Sequence, residues 1–222
     1  MGGHFTFSHL EFLGRGALWT VLLSALGFLG GGVLAFMVAL CRISGARIVR
    51  VASGVIVQLV QGTPLLVILF LSYFGLPAIG VPVPPLLAAG ASLNLYIGVY
   101  LGETWRAAIE AVPRAQWEAA ECLALTRVQR MFRVILPQAV HIATPPTVGF
   151  MVQIIKSTSL ASAIGFVELA RAGQIINNSL LEPFPIFVLI AATYFAICYP
   201  LSRLSRRLEA RSGFAPVEGA AP

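Results

Sequence analysis

No charged residue stands between Arg50 and Glu103. A helix rises about 1.5 Å per residue, so roughly 20 apolar residues cross the hydrocarbon of a bilayer. The ion-free stretch is too long for one crossing and right for two with a turn between them. Gly75, Pro77, Gly80, Pro82, Pro84 and Pro85 cluster inside it, and a helix does not continue through prolines so dense. The expected second and third spans are therefore about residues 52–74 and 86–105.

The same logic extends both ways along the chain. From Gly16 to Cys41 there is again no charge, which predicts a first span over about 17–41. Its glycines (Gly27, Gly30, Gly31 and Gly32) would weaken a soluble helix but allow close helix contact in lipid. A fourth span is expected over 138–155, kinked at Pro145 and Pro146, and a fifth over 184–204, with a semi-polar stretch from Lys156 to Glu182 between them. Only 11% of residues are charged, against about a quarter in soluble domains. The expectation is an all-α membrane protein, one domain over 1–222 with five transmembrane helices.

Charge sets the orientation. The chain carries 15 Arg and Lys against nine acids, all of them Glu. Arginines gather after the first span (Arg42, Arg47, Arg50), after the third, and after the fifth (Arg203, Arg206, Arg207, Arg211), while the alternate loops hold only Lys156 and Arg171. The positive-inside rule then predicts an external N-terminus and a cytoplasmic C-terminus. Topology explains the basic balance without a nucleic acid partner. Met1 to Gly14 has no basic run ahead of an apolar core, so insertion by the first helix is expected. Cys41, Cys122 and Cys198 lie far apart with no CxxC and read as packing residues; His4, His9 and His141 form no metal constellation.

The basic region after the third span, Val112 to Ala139, reads VPRAQWEAAECLALTRVQRMFRVILPQA and is expected in the cytoplasm. It divides into two short helices. Gln116 to Leu125 sets Ala119 and Ala120 beside Glu118 and Glu121, and Thr126 can cap a second helix from Arg127. That second helix places Val128, Met131, Phe132 and Ile135 at helical spacing with Arg127, Arg130 and Arg133 elsewhere around it, and Pro137 suits the first turn of the fourth span. Periodicity alone would allow an amphipathic pair lying on the membrane surface.

The run EAAECLALTRVQRMFRVILPQA resembles the EAA loop of permease subunits of bacterial ABC importers, and in particular the polar amino acid branch. Gln61 to Phe70 (QGTPLLVILF), Tyr100 to Ala120 (YLGETWRAAIEAVPRAQWEAA) and Ile154 to Gln174 (IIKSTSLASAIGFVELARAGQ) resemble further segments of that branch in the same order. The resemblance implies the type I importer permease fold in a bacterial inner membrane, with the EAA loop at about 112–137. It also implies three kinds of partner: cytoplasmic ABC ATPase subunits, a periplasmic amino-acid-binding protein, and a second permease copy or close homologue. ATP and Mg would sit on the ATPase, since nothing here resembles GxxxxGK[ST], and no cofactor is expected on this chain. Contact with the ATPase is expected through Glu118, Ala119, Ala120, Leu123 and Ala124. Small side chains allow close seating, and a carboxylate is favoured toward a helix N-terminus.

The chain departs from the pattern in places. Ala124 stands where the loop has Gly, so either the turn is helical here or the break has moved to Thr126. Gln61 replaces Arg, Ala115 replaces Gly, and Ser157 replaces an Asp that would attract a substrate ammonium, which argues against cationic cargo. Candidate groups for the substrate route, expected to converge near the middle of the bundle, are Tyr100, Glu103, Ser157, Thr158 and Ser159. An ionisable group within a span is functional by default, although Glu103 could instead pair with Arg106 at i+3. Thr158 and Ser159 could instead cap a helix through Glu168. Two rival readings are an intramembrane hydrolase, for which no nucleophile and base stand together, and a scaffold or channel subunit without ATP coupling.

Overall fold

The computed structural model describes residues 6–211. Among the described residues eight helices follow one another: α1 Phe7–Arg42, α2 Arg47–Gln61, α3 Leu65–Ala78, α4 Pro85–Glu110, α5 Arg114–Cys122, α6 Arg127–Ile164, α7 Leu169–Leu180 and α8 Pro183–Arg211. No strand occurs among the described residues. α1, α4, α6 and α8 are long and apolar enough to cross a membrane, and α2 with α3 makes a fifth crossing if the bent pair counts as one. His4, the extreme N-terminus and the residues after Arg211 lie outside the described part.

The expected second span, 52–74, is not one straight helix. α2 and α3 meet at 97°. The corner is the QGTP segment: Gly62 closes α2, and Pro64, extended at ψ 140°, has no N–H to continue the helical ladder. Further on, Pro77 does not end α3 as expected. A π-helical turn, Leu71–Gly75, precedes it, and the chain breaks only at Ile79. A second π turn, Met131–Ile135, precedes Pro137. A wider turn relieves the clash of a proline ring with the carbonyl four residues back. Consequently the second short helix of the basic insert and the fourth span are a single helix, α6. It also runs through Pro145 and Pro146 and ends in a 3-10 stretch, Thr158–Ile164.

The frame is the pairing of α1 with α4, the most extensive helix contact in the molecule. Gly27, Gly31, Ala35 and Ala39 recur every four residues on α1 and all are buried. Leu93 and Ile97 of α4 fill the notch at Gly27 and Gly31, the Asn94 amide rests on Gly30, and Gly98 and Gly102 admit Leu34 and Val38 in return. A Cβ on Gly31 would lie 2.6 Å from Ile97. Small residues at such an interface bring backbones close enough for dispersion to hold helices together where lipid removes the usual hydrophobic drive. Apolar clusters then fill the bundle on either side, with Leu13, Leu169, Ile176 and Ile186 joining α1, α7 and α8. Ile109, Val112, Ile135 and Ala139 join α4 and α6 at the other end.

Gly31→Ala should therefore overpack the α1–α4 contact and cost about 1–3 kcal/mol. Gly32→Ala, whose new methyl meets nothing within 4 Å, should be neutral. Thermal unfolding of the detergent-purified protein should show a lower Tm for the first only.

Candidate functional site

The basic insert becomes a helix displayed at one end of the bundle. α5 is nine residues long. Its Trp117 packs on the cluster of Ile109, Val112, Ile135 and Ala139, and Ala120, one turn on and 1% exposed, shares that inward face. Glu118, Ala119 and Glu121 are exposed, and Leu123 shows 73% of its surface. The two alanines thus divide: Ala120 seats α5 on its own protein, while Ala119 is free to be covered. Cys122 is exposed rather than packed.

Ala124 takes φ +53°. Neither sequence alternative holds, because the left-handed turn of the glycine pattern persists with an alanine in it. The turn closes as a Schellman motif: Leu125 N–H donates to the Ala120 carbonyl at 3.3 Å and Ala124 N–H to that of Glu121 at 2.9 Å. Thr126 then caps α6 as expected. Its hydroxyl accepts from Gln129 N–H at 3.3 Å while the Gln129 side-chain oxygen accepts from Thr126 N–H at 3.0 Å.

At the same end of the bundle, Glu103 joins two helices. One carboxylate oxygen accepts from Arg42 Nε of α1 at 2.5 Å and the other from Arg106 Nε at 2.8 Å. Arg106 also pairs with Glu110. The expected i+3 pair is present, and Arg42 was not expected in it. Tyr100, one turn before, stacks with Tyr96 and Phe150, and its hydroxyl donates to the Gln61 carbonyl at the α2–α3 corner at 3.4 Å. Trp105 Nε1 donates to Thr147 of α6 at 3.0 Å.

Ser157, Thr158 and Ser159 lie elsewhere. They stand where α6 passes into its 3-10 stretch, and their hydroxyls donate back to the carbonyls of Gln153, Ile155 and Lys156 at 2.7–2.9 Å. None caps the following helix. Glu168 does that, accepting from Ala170 and Arg171 N–H at 2.9 and 2.8 Å. Glu168 is fully buried and was not singled out in the sequence. Tyr194 of α8 donates to it at 2.8 Å, and Thr20 of α1 lies at 3.4 Å while accepting from Leu169 N–H. Tyr100 meets α6 at Phe150, seven residues or roughly 10 Å of rise before Ser157, and Glu103 lies about one turn beyond Tyr100, beside Arg42. The candidates do not converge.

Among the described residues no cluster of His, Cys, Asp or Glu could hold a metal ion. An apolar cavity of about 400 Å³ opens between α1, α4 and the start of α6, lined by Phe36, Trp105, Ile109, Phe132 and Val148. Its wall offers almost nothing to hydrogen-bond a zwitterion.

Comparison with known proteins places this architecture. Residues 31–213 match the family described as "Binding-protein-dependent transport system inner membrane component". The chain is 38% identical to the L-cystine transport system permease protein TcyB of Bacillus subtilis (strain 168), covering 90% of this chain and 86% of that one. It is 32% identical to a probable glutamine ABC transporter permease protein, GlnP, of the same organism, over 94% and 97%. Among solved structures, a chain of an amino acid ABC transporter crystallised with histidines superposes with TM-score 0.88 at 30% identity, covering 94% of this chain and 100% of that one. A chain of an inward-facing MetNI methionine ABC transporter shares the fold at TM-score 0.70 and 18% identity, over 92% and 99%.

Relief of the left-handed alanine makes a clear prediction. Ala124→Gly should stabilise the loop by up to about 1 kcal/mol, and Ala124→Val should destabilise it by more. Hydrogen exchange at the amides of Ala124 and Leu125 should slow in the first variant and quicken in the second.

Proposed function

The chain belongs to the family of binding-protein-dependent transport system inner membrane components, and on that premise we propose that it carries an uncharged polar amino acid and takes its power stroke through α5. Its relatives make it a membrane permease subunit of an amino-acid ABC importer, a class that works with ATPase subunits and a substrate-binding protein. In this reading ATP and Mg reside on the ATPase, α5 faces the cytoplasm with the C-terminus, and the N-terminus lies outside. Two copies, or this chain and a close homologue, enclose the route.

The display of α5 carries the reading. A short helix is presented outside the bundle with Glu118, Ala119 and Leu123 uncovered, and it is closed by a turn whose alanine accepts backbone strain. A scaffold without ATP coupling has no need of an uncovered Leu123. Glu118, Ala119, Leu123 and the Ala124 turn would meet the ATPase, with Ala120 holding α5 from beneath.

For the cargo, Tyr100 and its stacked neighbours Tyr96 and Phe150 flank the route where α4 faces α6. Ser157, Thr158 and Ser159 stand at one end and Glu103 at the other. Both carboxylates within the bundle are already engaged: Glu103 by two guanidinium groups, Glu168 by two backbone N–H groups and Tyr194. Neither is left to bind a cationic side chain, and Ser157 supplies no replacement. Relatives named for cystine and glutamine fit that preference.

Two measurements test this. Leu123→Asp should abolish co-purification of the ATPase with the permease, and an unchanged complex would favour the scaffold reading. Calorimetry on the partner binding protein should rank glutamine or cystine at least tenfold above arginine, about 1.4 kcal/mol; arginine as the best ligand would sink the cargo assignment.

A further inference from the structure

The covalent link between α5 and α6 is only the turn from Leu123 to Thr126, and a turn held by two backbone hydrogen bonds and a left-handed alanine is a weak lever. A second link crosses it. Arg130, in the first turns of α6, places its guanidinium 5.6 Å from the Trp117 ring centroid and donates from Nη1 to Glu121 at 3.2 Å. Trp117 and Glu121 are one helical turn apart, so the planar group lies along one side of α5. The side chain is only 19% exposed although Glu121 beside it is 76% exposed. Its Nε–H is buried with no acceptor. An arginine so near the surface could hydrate that N–H by swinging outward, and leaving it unsatisfied is costly. Its position is therefore held by what it contacts.

We propose that Arg130 is a positioning residue that fastens the C-terminal half of α5 to α6, so that displacement of α5 by the ATPase is delivered to α6 as a rigid movement. The inference rests on the proposed docking of the ATPase on α5. Packing of Trp117 and Ala120 already seats the inward face of α5. Beyond Ala120 the backbone turn and the Arg130 pair with Glu121 remain. α6 is continuous from Arg130 to Phe150 and on to Ser157–Ser159, which gives the movement a direct line to the substrate route. Arg133, three residues on and exposed, is the natural control.

The test uses the complete importer in proteoliposomes with its binding protein, measuring amino acid taken up per ATP hydrolysed. Arg130→Ala should lower that ratio roughly three- to tenfold while the ATPase still co-purifies. Arg130→Lys, which keeps the charge but loses the flat stack, should fall between, and Arg133→Ala should match the parent. With Cys41 and Cys198 replaced by Ala, a spin label on exposed Cys122 should become more mobile in Arg130→Ala. An unchanged ratio in an assembled Arg130→Ala complex overturns the proposal. If that variant does not assemble, a parental ratio in Arg130→Lys overturns it. Failure of the docking reading has a separate signature, an ATPase that stays bound to Leu123→Asp.

Discussion

The close approach of α1 to α4 is the constraint on which the remaining structure depends. In lipid, apolar surface gains little by leaving one hydrocarbon environment for another, so helices associate where their shapes allow many short contacts. The stripe Gly27, Gly31, Ala35, Ala39 and its counterparts Gly98 and Gly102 supply such shapes. Once those two helices are fixed, Glu103 comes within reach of Arg42 at one end. At the other, Gly16 and Thr20 of α1 meet the start of α7.

The half-buried Glu103 and the buried Glu168 then act as fastenings. Glu103 ties α4 to the end of α1 next to the α5 loop, and Glu168 ties α1, α7 and α8 at the opposite end. Each is fully supplied with donors, as a charge away from water must be. Between them the chain turns a corner at Gly62–Pro64, passes Pro77 and Pro137 by way of π turns, and closes the left-handed turn at Ala124.

The membrane class and the motif order were legible in the sequence because they rest on composition and local spacing. So were the cap at Thr126 and the pair of Glu103 with Arg106, which involve neighbours three residues apart. The corner at Pro64 was missed because a charge-free stretch reads as continuous whatever its direction. Pro77 was read as part of a break and Pro137 as the start of a new helix, whereas a single π turn lets a helix pass each of them. The spacing of the candidate residues was not legible, since Glu103 pairs with Arg42 at the end of α1 while Ser157–Ser159 bond back into their own helix. Glu168 escaped because its importance comes from Thr20 and Tyr194, each more than twenty residues away.

By itself the sequence determined that this chain lives in a bilayer and that it carries an EAA loop, because hydropathy and short motifs are properties of consecutive residues. It also set the demand at Ala124 for a left-handed residue, without saying whether an alanine would meet it. Only the tertiary structure decided that it does, that Ala120 faces inward while Ala119 and Leu123 face out, and that Arg130 bridges α5 to α6. Those outcomes depend on which surfaces meet across the bundle, and a meeting of surfaces distant in the chain leaves no local pattern to read.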